Sequence, residues 1–337
     1  MRIESKAPTR VDLAGSTLDI WPLYLFHPGA VTVNAAISRY ASCVVETHPA
    51  SDDERIKLVS LDTNRSESFA SLEALFHAKR YRLPLLAEIV KFFHPKGGFS
   101  LTTNSEAPAG AGIGGSSAMA VAICAALDRF TGAGRSKVDW VHISRDAEAI
   151  VIHIPTGMQD HYPPAFGGAA AIELIPGGER RIEINVNLDE LERRLVVCYT
   201  GKPRQSAINN WGVFKAHIDN KKAVVSNLER ISQIAQKLRD ALVAGNWAET
   251  GKLMHAEWQF RRRNLPTIST KTIDRIIDST RRKGALAGKV CGAGGGGCVV
   301  LLIEPDARER VEKAVVEAGG QLLPMHIDRQ GVQVVAQ

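Results

Sequence analysis

The sequence predicts a mixed strand-and-helix chain in two domains sharing a cleft, with a single large α/β domain as the alternative, and three observations carry that reading. The chain has 337 residues, more than one domain usually holds. Its first half is rich in short β-branched or alternating runs, whereas its second half carries long helical patterns. The composition changes near residue 190, which places a sheet-rich N-terminal domain over 1–190 and a helix-rich C-terminal domain over 191–337.

Taken in order, Arg2 to Ser5, Val11 to Ala14, Ala30 to Ile37, Ser42 to Thr47 and Phe99 to Thr103 read as strands. Pro84 opens a helix that runs through Phe93, with proline in the first turn where its missing N–H costs nothing. A second helix is expected to begin at Ser116-Ser117 and end near Phe130, where Thr131-Gly132 stops it. Its residues are apolar nearly all round, so it should lie buried under the sheet. Beyond residue 190, helices are expected at Lys221 to Ala244, Trp247 to Phe260, Thr270 to Lys283 and Ala307 to Ala318. Strands are expected at Leu195 to Tyr199, Cys298 to Ile303 and Gln321 to Ile327.

Composition narrows the function. Hydrophobic residues make up 45% and charged residues 23%, ordinary values for a folded globular chain. The net charge of +6 fits sites for phosphorylated small molecules better than a nucleic-acid surface, since no nucleic-acid motif occurs. The basic clusters Arg261 to Arg263 and Arg281 to Lys283 read as solvated helix faces, or as holders of a substrate phosphate if either faces the cleft. Five cysteines without a C-x-x-C pair suggest neither a disulfide framework nor a zinc site, and a reducing, cytoplasmic setting is expected. The longest apolar run, Ala118 to Leu127, is far too short to cross a bilayer, so no membrane partner is expected.

The strongest local signal is Pro108-Ala-Gly-Ala-Gly-Ile-Gly-Gly-Ser-Ser-Ala118. Its glycines, Gly110, Gly112, Gly114 and Gly115, let backbone approach a ligand closely, and the serines then open a helix whose free N–H groups suit phosphate. Gly110-x-Gly112-x-x-Gly115 and Gly292-x-Gly294-x-x-Gly297 each satisfy the dinucleotide pattern, but the first lacks the acidic residue expected about 20 residues on. The Walker A pattern is absent.

Two further segments, Ala7-Pro-Thr-Arg-Val-Asp-Leu-Ala-Gly15 and Lys289-Val-Cys-Gly-Ala-Gly-Gly-Gly-Gly-Cys298, flank this loop in the order and at the separations of the three motifs of the galactokinase/homoserine kinase/mevalonate kinase/phosphomevalonate kinase (GHMP) superfamily. The chain resembles that superfamily over nearly its whole length. Gly157-Met-Gln-Asp-His-Tyr162 with Phe166-Gly-Gly168 is most similar to the sugar kinases related to D-glycero-D-manno-heptose 7-phosphate kinases.

The resemblance implies a two-domain α+β GHMP kinase fold with a ferredoxin-like C-terminal domain, ATP along Pro108, Gly110, Ala111, Gly112, Ile113, Gly114, Gly115, Ser116 and Ser117, and an acceptor at the domain cleft. It implies Asp160 as the catalytic aspartate and Arg10 as the cation that holds it ionised and stabilises the moving phosphoryl group. Ser116, or Ser117 if the loop is counted from Ala118, would ligate Mg2+ with Glu148. Asp19 matches a residue that binds substrate hydroxyls, Gln159 is a flanking polar contact, and Gly294, Gly295 and Gly296 would close the site from the second domain. The chain departs from its resembling kinases at Gly15-Ser-Thr-Leu-Asp19, where they tend to carry G-G-G-T-D, so the acceptor pocket is expected to differ.

The implied reaction is ATP-dependent phosphorylation of a small sugar or sugar phosphate by a monomer or homodimer, with the C1 hydroxyl of a heptose 7-phosphate as the specific expectation. A kinase for mevalonate or another small alcohol and a non-catalytic ATP-binding regulator are the alternatives.

Overall fold

In the computed structural model, residues 1–48, 54–203 and 206–337 are described, without the side chains of 206–208. The chain opens with two long antiparallel strands, β1 (Arg2–Ala14) and β2 (Val31–Thr47), whose inward residues are almost wholly buried. A register shift between Pro8 and Thr9 bends β1 where proline has no N–H for the ladder. The runs 2–5 and 11–14, and likewise 30–37 and 42–47, are therefore each one continuous bent strand rather than two.

The hairpin β3 (Ile56–Ser60) and β4 (Arg65–Phe69) follows, then the short α1 (Leu72–Phe76), α2 (Pro84–Phe93) and β5 (Phe99–Ser105). β5 pairs with the second half of β2 and runs parallel to β3. After the glycine loop come α3 (Gly115–Thr131), α4 (Lys137–Ile152) and α5 (Tyr162–Phe166), then the hairpin β6 (Ala169–Ile175) and β7 (Gly178–Glu183). β6 pairs with the first half of β2, so that strand joins both flanks of the sheet. α3 is buried along most of its length between this sheet and α2 and α4, as its unbroken apolar surface requires.

The second half supplies α6 (Leu188–Arg194), β8 (Leu195–Tyr199), α7 (Ser206–Ile218), α8 (Lys222–Val243), α9 (Trp247–Arg261), α10 (Lys271–Arg281), β9 (Ala285–Val290), β10 (Cys298–Ile303), α11 (Arg308–Glu317), β11 (Gln321–Leu322) and β12 (Gln333–Ala336). A four-stranded sheet has the order β11-β8-β10-β9, while β12 returns to pair with β1 in the eight-stranded sheet. Among the described residues no helix is long and apolar enough to cross a membrane.

Several elements lie where the sequence reading placed none. α4 starts in the polar stretch before Trp140, where Ser136 and Asp139 cap each other reciprocally in the S-x-x-D pattern of a capping box. α7 and α6 were also unforeseen. β11 covers only two residues of the longer strand expected at 321–327.

Candidate active site

The segment after β5 turns into α3 through a backbone that only glycine adopts without strain. Gly110, Gly112 and Gly114 have φ of +66°, +75° and +75°, and Gly114 is the cap of α3. Ala111 and Ile113 turn inward and are buried, which fixes the loop to the core while its glycines stay on the open side. A cavity of about 490 Å³ lies against this loop, and its walls include Leu85, Ile152, Ser116, Glu148 and Asp160. Its volume lies within the range of small-molecule sites. The start of α3 adds unsatisfied N–H groups and the positive end of a helix dipole.

Ser116 and Ser117, in the first turn of α3, both point to Glu148 of α4. Their hydroxyls donate to Glu148 Oε1 at 2.5 Å and Oε2 at 3.1 Å. Burial opposes ionisation of Glu148, but contacts with His161 and the two serines prevail and hold its carboxyl at about 2. His161 Nε2 lies 3.2 Å from Glu148 Oε2, while its Nδ1 is 2.9 Å from Ser144 Oγ, one turn back on α4. His161 is therefore a wholly buried brace for Glu148. Two hydroxyls and an ionised carboxylate form an all-oxygen donor set that fits a hard divalent cation such as Mg2+. Both serines share that carboxylate, so neither count of the loop excludes the other.

Asp160 precedes α5 and stands where two cavities meet. Its Oδ1 accepts from Arg10 Nε at 2.8 Å and from an Arg10 terminal nitrogen at 2.5 Å. The other terminal nitrogen of Arg10 donates to the carbonyls of Gly112 at 2.7 Å and Cys291 at 2.8 Å. One buried guanidinium thus ties the first strand, the glycine loop, the Asp160 carboxylate and the third motif together.

The second cavity, about 40 Å³, is lined by Arg10, Thr17, Asp19, Gln159, Asp160 and Arg261 among others. Asp19 Oδ2 accepts from Gln159 N at 3.0 Å, and Gln159 Nε2 donates to Asp19 Oδ1 at 3.3 Å. Burial and then the nearby Asp160 charge push the Asp19 carboxyl up to about 6. Gly157 crosses directly over it, since a Cβ there would meet Asp19 Oδ2 at 1.9 Å. Trp21 is 61% exposed and so is not a core residue.

The glycine run at 292–297 does only part of what was expected. Gly292 and Ala293 line the small cavity, but Gly294, Gly295 and Gly296 are not in its wall. They pack on protein backbone instead: a Cβ would meet Ile268 O at 2.4 Å from Gly294, Thr267 O at 3.1 Å from Gly295 and Lys202 O at 2.7 Å from Gly296. Their glycine content serves close backbone packing rather than acceptor contact. Gly297, at φ +74°, brings the run within reach of the glycine loop before α3, where Cys298 N donates to Ala111 O at 2.6 Å.

The sequence reading missed a buried charge network behind the small cavity. Asp12 Oδ2 accepts from Lys289 Nζ at 2.8 Å, from Ser16 Oγ at 2.5 Å and from Arg261 at 3.3 Å. Lys289 also pairs with Glu257 at 3.1 Å. Arg261 donates to Gly292 O at 2.6 Å and bonds to Ser16 Oγ. Arg261 is only 3% exposed and lines the small cavity, so of the two readings of its cluster it follows the cleft-facing one and not the solvated face; Arg281, Arg282 and Lys283 are exposed. Burial opposes ionisation of Asp12, yet the charges of Lys289 and Arg261 bring its carboxyl below the usual range. Burial pushes Glu257 the other way. The available signal was a charge inside an apolar strand at both Asp12 and Lys289.

Comparison with known proteins agrees with this geometry. Residues 81–168 match the family model for the GHMP kinases N terminal domain, and residues 238–321 match that for GHMP kinases C terminal, together about half of the chain. A D-glycero-alpha-D-manno-heptose 7-phosphate kinase of Campylobacter jejuni is 26% identical, with 98% of each chain covered. A mevalonate kinase of Pyrococcus furiosus is 28% identical over 70% of this chain and 69% of its own. Among solved structures, a D-glycero-D-manno-heptose 1-phosphate kinase from B. thetaiotaomicron superposes with a TM-score of 0.78 at 24% identity over 99% of both chains. A galactokinase of Lactococcus lactis with galactose bound gives 0.79 at 17% identity, covering 100% of this chain and 95% of its own. Those likenesses establish the fold.

Proposed function

The chain belongs to the GHMP kinases, and from that premise we propose that it transfers the γ-phosphoryl group of ATP to a hydroxyl of a small sugar or sugar phosphate. Likeness to a heptose 7-phosphate kinase over 98% of the chain supports a heptose 7-phosphate as the acceptor, and its C1 hydroxyl is the position we propose. The observation that carries the reading is the position of Asp160, on the wall shared by a nucleotide-sized cavity and a small hydroxyl-lined one.

Phosphoryl transfer asks a protein for positioning, charge neutralisation and a place for the acceptor proton. The loop from Pro108 to Ser117 cradles the phosphates with backbone N–H groups. Ser116, Ser117 and Glu148 would hold Mg2+, which neutralises charge on the phosphate oxygens when bound. Arg10 donates to Asp160 Oδ1 through both Nε and a terminal nitrogen and so leaves Oδ2 for the acceptor hydroxyl. Asp160 takes the hydroxyl proton as the acceptor oxygen bonds to phosphorus and ADP leaves. Asp19, supported by Gln159, is placed to accept from neighbouring hydroxyls of a polyol.

The test is ADP release with Mg-ATP against heptose 7-phosphates, free heptoses and hexoses, uronic acids and mevalonate, with phosphorus NMR locating the new ester. Turnover confined to one polyol class supports the reading. Turnover of mevalonate alone replaces it with the small-alcohol alternative, and ATP binding without turnover of any acceptor favours a regulator.

A further inference from the structure

We infer that Thr17 is a specificity-determining residue, held on a strained backbone where it sets the shape of the acceptor pocket; the inference rests on the small cavity being the acceptor site. Thr17 has φ of +80°, a left-handed backbone that glycine adopts freely and that is a true outlier for a β-branched residue. It lines the small cavity beside Asp19, Gln159 and Asp160, with 6% of its surface exposed. Its hydroxyl makes no hydrogen bond among the described residues. Strain of this kind persists only where the surroundings over-determine it.

The surroundings here do so on both sides. Gly15, at φ +85°, is pressed against β2 so closely that a Cβ would meet Val31 O at 2.0 Å. Ser16 is held by Asp12 and Arg261, Leu18 is wholly buried, and Asp19 is bonded to Gln159. The backbone at 17 is thereby fixed from its neighbours, and whatever residue stands there must accept a positive φ. Glycine would remove the strain and widen the cavity. Threonine instead keeps a methyl and a free hydroxyl in the wall, within a cavity of only about 40 Å³. A residue that costs stability and faces an acceptor pocket has the pattern of a site selected for discrimination rather than for folding. The chemistry it favours is a compact acceptor with a hydroxyl to pair with the Thr17 hydroxyl. It works against a bulky or apolar substituent at that point.

The experiment compares Thr17→Gly and Thr17→Ser with the parent protein by thermal melting and by kcat/KM across acceptors that differ in one substituent. Relief of strain offsets the extra chain entropy of glycine, so Thr17→Gly should melt at or above the parent temperature. Its preference between the best acceptor and bulkier analogues should fall by about tenfold or more, while the KM for ATP stays put. Thr17→Ser, which keeps the hydroxyl, should retain most of the preference. A Thr17→Gly protein that melts several degrees lower, or that discriminates as the parent does, overturns the inference and leaves the kinase reading standing. If the parent uses mevalonate and no sugar, the sugar reading falls, and the same comparison on branched or extended mevalonate analogues decides the role of Thr17.

Discussion

Two aspartates with different surroundings, Asp160 and Asp19, line the small cavity of the proposed site. Asp160 is bound by a guanidinium and stands at the cavity junction. Replacing it with asparagine should lower kcat by a factor of roughly a thousand or more, with ATP binding nearly intact by nucleotide titration. Near-parental turnover would remove Asp160 as the base. Asp19 is buried with no cation among the main influences on it, and its carboxyl is raised from 3.8 to about 6. Below about pH 4 that group is protonated in the folded and the unfolded chain alike. As pH rises from 4 to 6 the unfolded chain releases its proton first, so the folded state loses stability and does not regain it. At neutral pH the loss is at most about 3 kcal/mol, from two pKa units at 1.36 kcal/mol each. Asp19→Asn should therefore abolish efficient acceptor use yet raise the melting temperature, with the gain opening between pH 4 and 6. Equal melting curves at pH 4 and pH 7 would show that the burial of Asp19 carries no such cost.

At the scale of elements, the readable parts were those whose pattern is local. The proline at the start of α2, the apolar face of α3 and the long amphipathic stripe of α8 are each written in one segment, and each formed within two residues of the expected ends. β6 and β7 form a local hairpin but were missed because an alanine-rich run and a mostly charged one carry little strand signal, and α4 because its polar first turn hid the helix behind it. The glycine runs were legible as close approaches, but not what they approach. Gly294, Gly295 and Gly296 meet protein backbone, and Gly297 meets the loop of Ala111, because a run of glycines says only that a Cβ would not fit. Gly297→Ala tests that contact between loops. Its Cβ would stand 2.6 Å from Ala111 O at a φ of +74°, so something must shift by several tenths of an ångström. The expected result is a loss of roughly 1–3 kcal/mol by denaturant unfolding together with a raised KM for ATP, since Ala111 belongs to the nucleotide loop. A stability loss with the ATP KM unchanged would mean that the two loops do not act together.

For the whole molecule, the question is what holds the larger sheet to the smaller one around the cleft. Part of the answer was legible: three motifs far apart in sequence imply a site assembled from both halves, and Arg10 of the first motif does bond to Cys291 O of the third. The network behind them was not, because Asp12, Lys289, Glu257 and Arg261 signal a purpose only once β1, β9 and α9 have been brought together. Lys289 Nζ lies between Asp12 and Glu257 with no exposed surface on any of the three. Burying such charges costs several kcal/mol per ion, and mutual pairing roughly offsets that cost. The network is then weak evidence for stability as a set, whereas breaking it should be severe. Lys289→Met leaves two buried carboxylates sharing Arg261 alone, and a loss of about 3–5 kcal/mol is expected. Adding Glu257→Leu removes the carboxylate that depended most on Lys289 and leaves Asp12 with Arg261 and Ser16. The double variant should therefore recover at least half of the loss, a coupling that unfolding of both single variants and the pair measures directly. Additive losses would mean that Glu257 and Lys289 stabilise the two sheets independently. Recovery of stability without recovery of turnover would show that Lys289 also sets the position of Arg261 in the acceptor wall.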